Sequence, residues 1–426
     1  MTGLATAGDG SRRTVFRLFR EHKSMKSRVS HGLALVAIAA ALVGCSSSAA
    51  TPTPTSAPAT AAATAAATTA ATAAATAATS TTITLPTGGT FTISPRIVAK
   101  IANKETLNFV NSYPYITIAG ASAQMQAGAE QAAADIEKKY GVKISTKVIG
   151  VANPDAPTQI GQITSGLNAN QYDCLSVDPN PPGAFTNTIK TAMDAGVPVF
   201  TVNGDTETSA RIATSMADDN GEMDSPLQMG RIAANYAIKW ATDNSQTFDG
   251  KKVALITGDA TAPWAQGRLK GFIDTLKAKY PTVTFSSTYD NAYMVGFDTA
   301  TVLSKVQSYW EGHKDTFFFY SSDWGGVQIG QVIQRNNLKG KVFGLGFNLN
   351  AAYVQLLKDD YLIGTIDQRY DLQAKNWAMM CADLLFDHKA PASQYNWVTP
   401  NIWSAKNIQE ALDLYSKIPN SGVTGS

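Results

Sequence analysis

Few side chains here have the types and spacing that catalysis demands. The chain holds four histidines, of which His313 and His388 stand outside the N-terminal region, each beside a lysine in a polar segment. Neither assembles with a nucleophile into a triad or with other ligands into a metal site. No glycine-rich loop ends in Lys-Ser or Lys-Thr, which excludes phosphate-loop chemistry. The one residue whose setting implies a reaction is Cys45. Lys23, Lys26 and Arg28 lead into the apolar run Leu33 to Val43, which closes on Leu42-Val43-Gly44-Cys45. That run is too short to cross a bilayer, and a basic head, an apolar core and small residues before a cut make a secretory signal over residues 1–44. Met25 is an alternative start to Met1, because Met25-Lys26-Ser27-Arg28 already supplies a basic head.

Leu42-Val43-Gly44-Cys45 resembles a bacterial lipobox. The resemblance implies lipidation at Cys45, removal of the signal, and a mature protein held outside the cell by its acyl chains, since two or more chains anchor stably where one does not. The alternative is an ordinary secretory signal followed by a chance cysteine. Beyond Cys45, residues 46–82 are Ser, Thr, Ala and Pro, without charge or aromatic side chains. Such a segment cannot bury enough apolar surface to offset its ordering entropy, so residues 45–82 read as a disordered tether. A coil of this length has an end-to-end distance on the order of 30 Å.

What remains, residues 83–426, is long enough for two lobes of ordinary domain size. Its charge is near balance, and no cluster of lysines and arginines with interleaved aromatics marks a nucleic-acid surface. Cys174 and Cys381 both lie in apolar elements, which favours buried free thiols over a disulfide. Strands alternate with helices. The first series has strands at Leu107–Val110, Val142–Ile149, Tyr172–Val177 and Val197–Val202, with helices at 119–140, 158–168 and 183–195. The second has strands at Lys252–Ile256, Thr282–Ser286, Thr316–Tyr320 and Lys341–Leu345, with helices at 264–280, 298–310 and 325–336. This alternation predicts α/β architecture: two doubly wound parallel sheets, one per series, with a ligand cleft beyond the carboxyl ends of their strands.

Seven segments then occur in a familiar order: Val177-Asp178-Pro179-Asn180; Ala195 to Asn203; Ala217-Asp218-Asp219-Asn220; Gly258 to Phe272; Phe319 to Asp323; Gly344 to Asn348; and Gly364 to Gln368. Together they resemble the type I periplasmic binding proteins for sugars, the ribose-type group. The resemblance implies a three-crossing hinge, with crossings near Asp219-Asn220, at Gln368-Arg369 and near Val398 to Asn401. Lobe one would be about 104–219 plus 369–398, and lobe two about 220–368 plus 399–426. Hinge closure around a ligand is the motion such an arrangement permits.

The same match implies the binding residues. Asn203 ends a strand where sugar binders carry an Asp or Asn that grips hydroxyls, and Asp205 resembles a second acidic position. Gln266 stands where the ribose-type proteins carry an arginine, which removes a fixed fork of donors. Arg268 fits a framework arginine, and Phe297 a ring-stacking aromatic. Ser322 and Asp323 end a strand at the cleft, Asn348 replaces the family's usual acid, and Gln368 matches at a crossing. Tyr113 or Tyr115 would supply an aromatic from lobe one, and Trp264 a stacking wall. Amides and carboxylates pair with hydroxyls while aromatic faces cover a sugar ring, and neither needs a metal or cofactor.

The expected protein is a monomeric, non-enzymatic, extracytoplasmic substrate-binding lipoprotein of an ABC transporter. It would bind a monosaccharide or a closely related small polar ligand and deliver it to a membrane permease. The alternative is a receptor for a furanone signal, nucleoside or sugar that docks on a membrane kinase or chemoreceptor. Residues 222–229 read as an insertion in a loop on the hinge.

Overall fold

The computed structural model describes residues 81–116, 118, 120–152, 154–217 and 225–423. The signal, Cys45, nearly all of the tether and the first expected crossing near Asp219-Asn220 lie outside the described residues.

A hairpin comes first, β1 (Thr82–Thr84) and β2 (Thr90–Thr92), so Thr82 belongs to a strand and not to the tether. Helix α1 (Pro95–Ala102) follows. The next run holds β3 (Leu107–Tyr113), α2 (Ala121–Tyr140), β4 (Ile144–Gly150), α3 (Ala156–Asn168), β5 (Cys174–Val177), α4 (Pro182–Asp194), β6 (Val199–Val202) and β7 (Ala213–Ala217). A second run holds α5 (Ser225–Asp243), β8 (Lys252–Thr257), α6 (Pro263–Lys279), β9 (Thr284–Phe285), β10 (Tyr293–Met294), α7 (Thr299–Gly312), β11 (Thr316–Ser321), α8 (Gly326–Arg335), β12 (Phe343–Phe347), α9 (Ala351–Lys358) and β13 (Gly364–Asp367). The chain ends with α10 (Tyr370–Phe386), β14 (Tyr395–Val398), β15 (Asn401–Trp403) and α11 (Ile408–Tyr415).

The strands form two sheets in equivalent orders, β4-β3-β5-β6-β7-β14 and β10-β8-β11-β12-β13-β15, with β9 also beside β8. Within these two sheets every pairing is parallel except β13 with β15. Parallel strands need crossover helices, and these cover both faces of each sheet, so the central strands β5, β6 and β13 are buried along their whole length instead of alternating. The chain passes between the sheets three times: from β7 to α5, from β13 to α10, and from β14 to β15. The fold is therefore the α/β pair of parallel-sheet lobes that the alternation predicts.

Helix α10 leaves the second lobe and returns to the first, packing against α2. The approach is close enough that a Cβ on Gly128 would stand 2.0 Å from the Asp371 carbonyl oxygen. Its return also corrects the cysteines. Cys381 on α10 forms a disulfide with Cys174 on β5, across 207 residues of sequence and a Cα separation of 6.6 Å. Both sites are apolar and buried, but two strangers in sequence meet because α10 lies on β5. Residues 222–229 are corrected in part, because from Ser225 onward they are the opening turns of helix α5.

At the second crossing Arg369 adopts a left-handed conformation at φ 54° and is buried. Its guanidinium grips Asp371 through Nε at 2.9 Å and Nη2 at 2.8 Å, while Nη1 donates to Asn401 Oδ1 at 3.0 Å, tying the second crossing to the third.

Candidate functional site

Strands β3, β5 and β6 of lobe one and β8, β11 and β12 of lobe two end toward a common cleft. A cavity there is walled by Tyr113, Tyr115, Asn203, Trp264, Phe297, Asp323 and Asn348, all foreseen from sequence, and by Ile118, Arg268, Trp324 and Tyr370.

Asn203 and Asn348 hold equivalent places. Each immediately follows its strand, β6 or β12, and each is left-handed, at φ 61° and φ 69°. Asparagine tolerates that region better than most residues, so the chain can turn sharply there while keeping a polar side chain at the strand's end. The two backbones are fixed by Asn203 N donating to Gln373 Oε1 at 3.0 Å and Asn348 N to the Ile366 carbonyl at 2.6 Å. Asn203 Nδ2 donates to Asp178 Oδ2 at 2.8 Å, and its own Oδ1 is buried without a hydrogen-bond partner. Asn348 Oδ1 instead accepts from Gln368 Nε2 at 2.8 Å.

Gln368 is therefore behind the wall. Its Nε2 also reaches Tyr370 Oη at 3.0 Å, and its Oε1 accepts from Arg268 Nη2. Arg268 Nη1 donates to the Ser322 carbonyl at 2.9 Å, its ring neighbours are Phe347 and Trp264, and its Nε is buried without a partner. The cleft thus contains an unused acceptor on Asn203 and an unused donor on Arg268, from opposite lobes.

Two carboxylates are buried here. Burial pushes Asp178 up to about 7, against the pull of the Asn203 hydrogen bond and the Arg268 charge. Asp323 is also raised by burial, although Gly258 N, Gly325 N at 3.1 Å and Ser321 Oγ at 3.2 Å all donate to it and oppose the rise.

Aromatic rings supply the rest. Tyr115 lies edge-on to Tyr113 and to Trp264 with ring centroids 5.8 and 6.5 Å apart, and its ring is 4.9 Å from Phe297. Tyr115 Oη accepts from Asn180 Nδ2 at 2.6 Å and from Trp264 Nε1 at 3.3 Å. Both tyrosines line the cavity. The free volume is about 20 Å³, room for a single water molecule. Any larger ligand requires the rings of the two lobes to part.

Besides Gln368, three expected residues are placed elsewhere. The Asp205 carboxylate turns to the buried Arg211, with Nε at 2.7 Å, and also accepts from Thr201 Oγ1 at 2.7 Å. Gln266 Nε2 donates to the Ala260 carbonyl at 3.0 Å. Ser322 Oγ pairs with Thr257 Oγ1 at 2.9 Å. Conversely, Trp324, Tyr370 and the framework arginine Arg268 line the cavity, and Asp178 and Asn180 back it through Asn203 and Tyr115, although the resemblance implies none of the five as a binding residue. Asp178 and Asn180 stand in the first of the seven segments, and Tyr370 lies two residues past Gln368, so position relative to the strand ends was the signal available.

A model of the periplasmic binding protein domain matches residues 109–389. The chain is 25% identical over 236 residues to the xylose/arabinose-binding protein XylF of Sulfolobus acidocaldarius, a match over 53% of this chain and 54% of the relative. It therefore spans about half the length of that relative. Among solved structures, GanP, a glucose-galactose binding protein from Geobacillus stearothermophilus, has a TM-score of 0.57 at 19% identity, covering 71% of this chain and 99% of that one. A XylFII-LytSN complex gives a TM-score of 0.57 at 16% identity, over 71% and 98% of the two chains. At such identities these structures share the fold.

Proposed function

Because the chain belongs to the periplasmic binding protein family, we propose that it is an extracytoplasmic solute-binding lipoprotein of an ABC importer, taking a monosaccharide or closely related small polar ligand between its lobes. The observation that carries this reading is the composition of the cleft: two strand-end asparagines from opposite lobes, a free Asn203 oxygen, a free Arg268 Nε and a wall of tyrosine, tryptophan and phenylalanine. Carboxamides and a guanidinium complement hydroxyls, and the rings complement the C–H face of a sugar. The sugars in the names of XylF and GanP support the same ligand class. In this reading the protein performs no chemistry on its ligand. It closes by the hinge at Arg369, acts as a monomer, and presents the closed form to a membrane permease.

Lipidation at Cys45 would hold it at the membrane. Fractionation of cells tests this: Cys45→Ser should move the protein from the membrane fraction to the soluble secreted fraction, and equal membrane retention of both forms would sink the anchor. A receptor role is the second reading, favoured by one observation, that XylFII of like fold is found with a second protein, LytSN. Co-purification distinguishes the two, with a permease expected for import and a sensor protein for reception. The ligand class is tested by thermal shift against pentoses, hexoses, polyols, nucleosides and amino acids. A ligand at about a thousand times its dissociation constant stabilises the fold by roughly 4 kcal/mol, enough to raise the melting temperature by several degrees. A shift only with nucleosides or amino acids removes the sugar.

A further inference from the structure

The lobes meet at more than the walls of the cavity. Helix α2 follows β3 and α9 follows β12, so the heads of both helices stand at the carboxyl ends of their strands, on facing rims of the cleft. Gly120, the N-cap of α2, shows how near the rims come. A Cβ on it would stand 3.0 Å from the Trp324 ring and 3.6 Å from Asn350 Cβ, both in lobe two. Further along the same helix, Ala127 packs into the core of lobe two although α2 belongs to lobe one.

Between these contacts lies a polar one. Gln124 in α2 is fully buried, and its Nε2 donates to the Leu349 carbonyl at 2.9 Å. The bond runs from lobe one to lobe two across 225 residues of sequence. Leu349 immediately follows Asn348, whose own carbonyl accepts from Thr365 Oγ1 at 2.6 Å and whose side chain is held by Gln368. The turn beyond Asn348 is thus fixed by lobe two on one side and by Gln124 of lobe one on the other, while Gln124 itself stands off the cavity wall. Gln124 Oε1 is buried without a hydrogen-bond partner. With the lobes apart, water reaches both ends of this amide. On closing, one end exchanges water for Leu349 and the other exchanges it for nothing, so the contact holds the closed form and still releases it.

We infer that Gln124 is a positioning residue for ligand capture, a latch that clasps the turn beyond Asn348 when the lobes close and slows ligand release without touching the ligand. This rests on the reading of the cleft as a hinged sugar site.

The test is a calorimetric and stopped-flow titration of the full chain with xylose, arabinose, glucose and galactose, in wild type, Gln124→Ala and Gln124→Glu. Gln124→Ala leaves the Leu349 carbonyl unpaired but also removes the stranded Oε1, so the expected loss of affinity is about three- to tenfold. Gln124→Glu at pH 8 sets a carboxylate against that carbonyl and should weaken binding more than about tenfold. Both losses should appear in the dissociation rate, with the association rate nearly unchanged, and by one factor for every sugar that binds, since the latch acts after encounter and away from the ligand. A lowered melting temperature with an unchanged dissociation rate makes Gln124 a structural residue only and overturns the latch. A loss whose factor differs from sugar to sugar overturns it as well, and both results leave the sugar reading standing. Binding of none of the four sugars to wild type counts against the sugar reading alone, and small-angle scattering from the chain without sugar then decides the latch. A larger radius of gyration in Gln124→Glu than in wild type supports it, and an equal one overturns it.

Discussion

The two lobes are built on one plan and finished differently. In each, two adjacent central strands, β5 with β6 and β11 with β12, lead at their carboxyl ends to an aspartate and a left-handed asparagine. In lobe two the aspartate, Asp323, is clamped by two backbone N–H groups and a hydroxyl, and the asparagine, Asn348, is held by Gln368. In lobe one, Asp178 and Asn203 hold each other, leaving the Asn203 oxygen free. Lobe two thus presents a preorganised face and also the cation, Arg268. Lobe one presents the carboxylate that can change its protonation and the acceptor that awaits a partner. The lobes differ in covalent chemistry too, because the disulfide staples β5 to α10 within lobe one. Preorganisation on one side and reserve on the other suits a clamp that must recognise on one face and respond on the other.

The largest expected effect breaks the covalent side of that contrast. Closing a loop of 207 residues restricts the unfolded chain by about 5 kcal/mol in the chain-entropy view. Cys174→Ala with Cys381→Ala should lower stability in urea by about 2 to 5 kcal/mol. Hydrogen exchange should speed up in β3 and β5 more than in β8 and β11. Uniform acceleration in both lobes would contradict a lobe-specific staple.

The next prediction concerns protons. Asp178 titrates near 4 in the unfolded chain and about 7 in the folded one. Between those values the folded state binds more protons, so stability falls as pH rises from about 4 to 7. Urea melts across this range should show a loss on the order of 1 to 3 kcal/mol that Asp178→Asn largely removes. Asp323 and Asp367 are shifted the same way by burial, and the part of the slope left in Asp178→Asn reports on the two together. Asp178 stands behind Asn203, off the cavity wall. A ligand donor that reached it would favour its charged form, so affinity rising from pH 6 to pH 8 would place Asp178 in the site, and a flat affinity would separate it from the ligand.

The smallest effects sharpen the boundary of the site. Gln266→Ala should change ligand affinity by less than about 0.5 kcal/mol, since Gln266 faces the Ala260 carbonyl. Asp205→Asn should weaken folding through the buried Arg211 while sparing affinity, measured by urea melts beside titration.

Much of this was legible in sequence because parallel sheets are covered on both faces. The strands Val199–Val202 and Phe319–Tyr320 read as apolar runs, and the ligand side follows from their carboxyl ends. The hairpin of β1 and β2 was not, since a strand of three residues has no periodicity to read. Nor was the direction of a side chain beyond a strand's end. Asn203 and Asp205 lie two residues apart, yet one faces the cleft and the other turns to Arg211, a choice made by a partner six residues on. The disulfide was hidden for the same reason at longer range, because only the return of α10 brings Cys381 to Cys174.

The central claim is that a sugar is gripped by both lobes at once. A calorimetric titration of the full chain with the monosaccharide giving the largest thermal shift, repeated in Asn203→Ala and in Asn348→Ala, tests it most directly. Saturable binding to one site is expected, weakened in each variant by about 1 to 3 kcal/mol, or roughly tenfold or more in dissociation constant. Binding that is unchanged in either variant, or no binding of any saccharide, would contradict it.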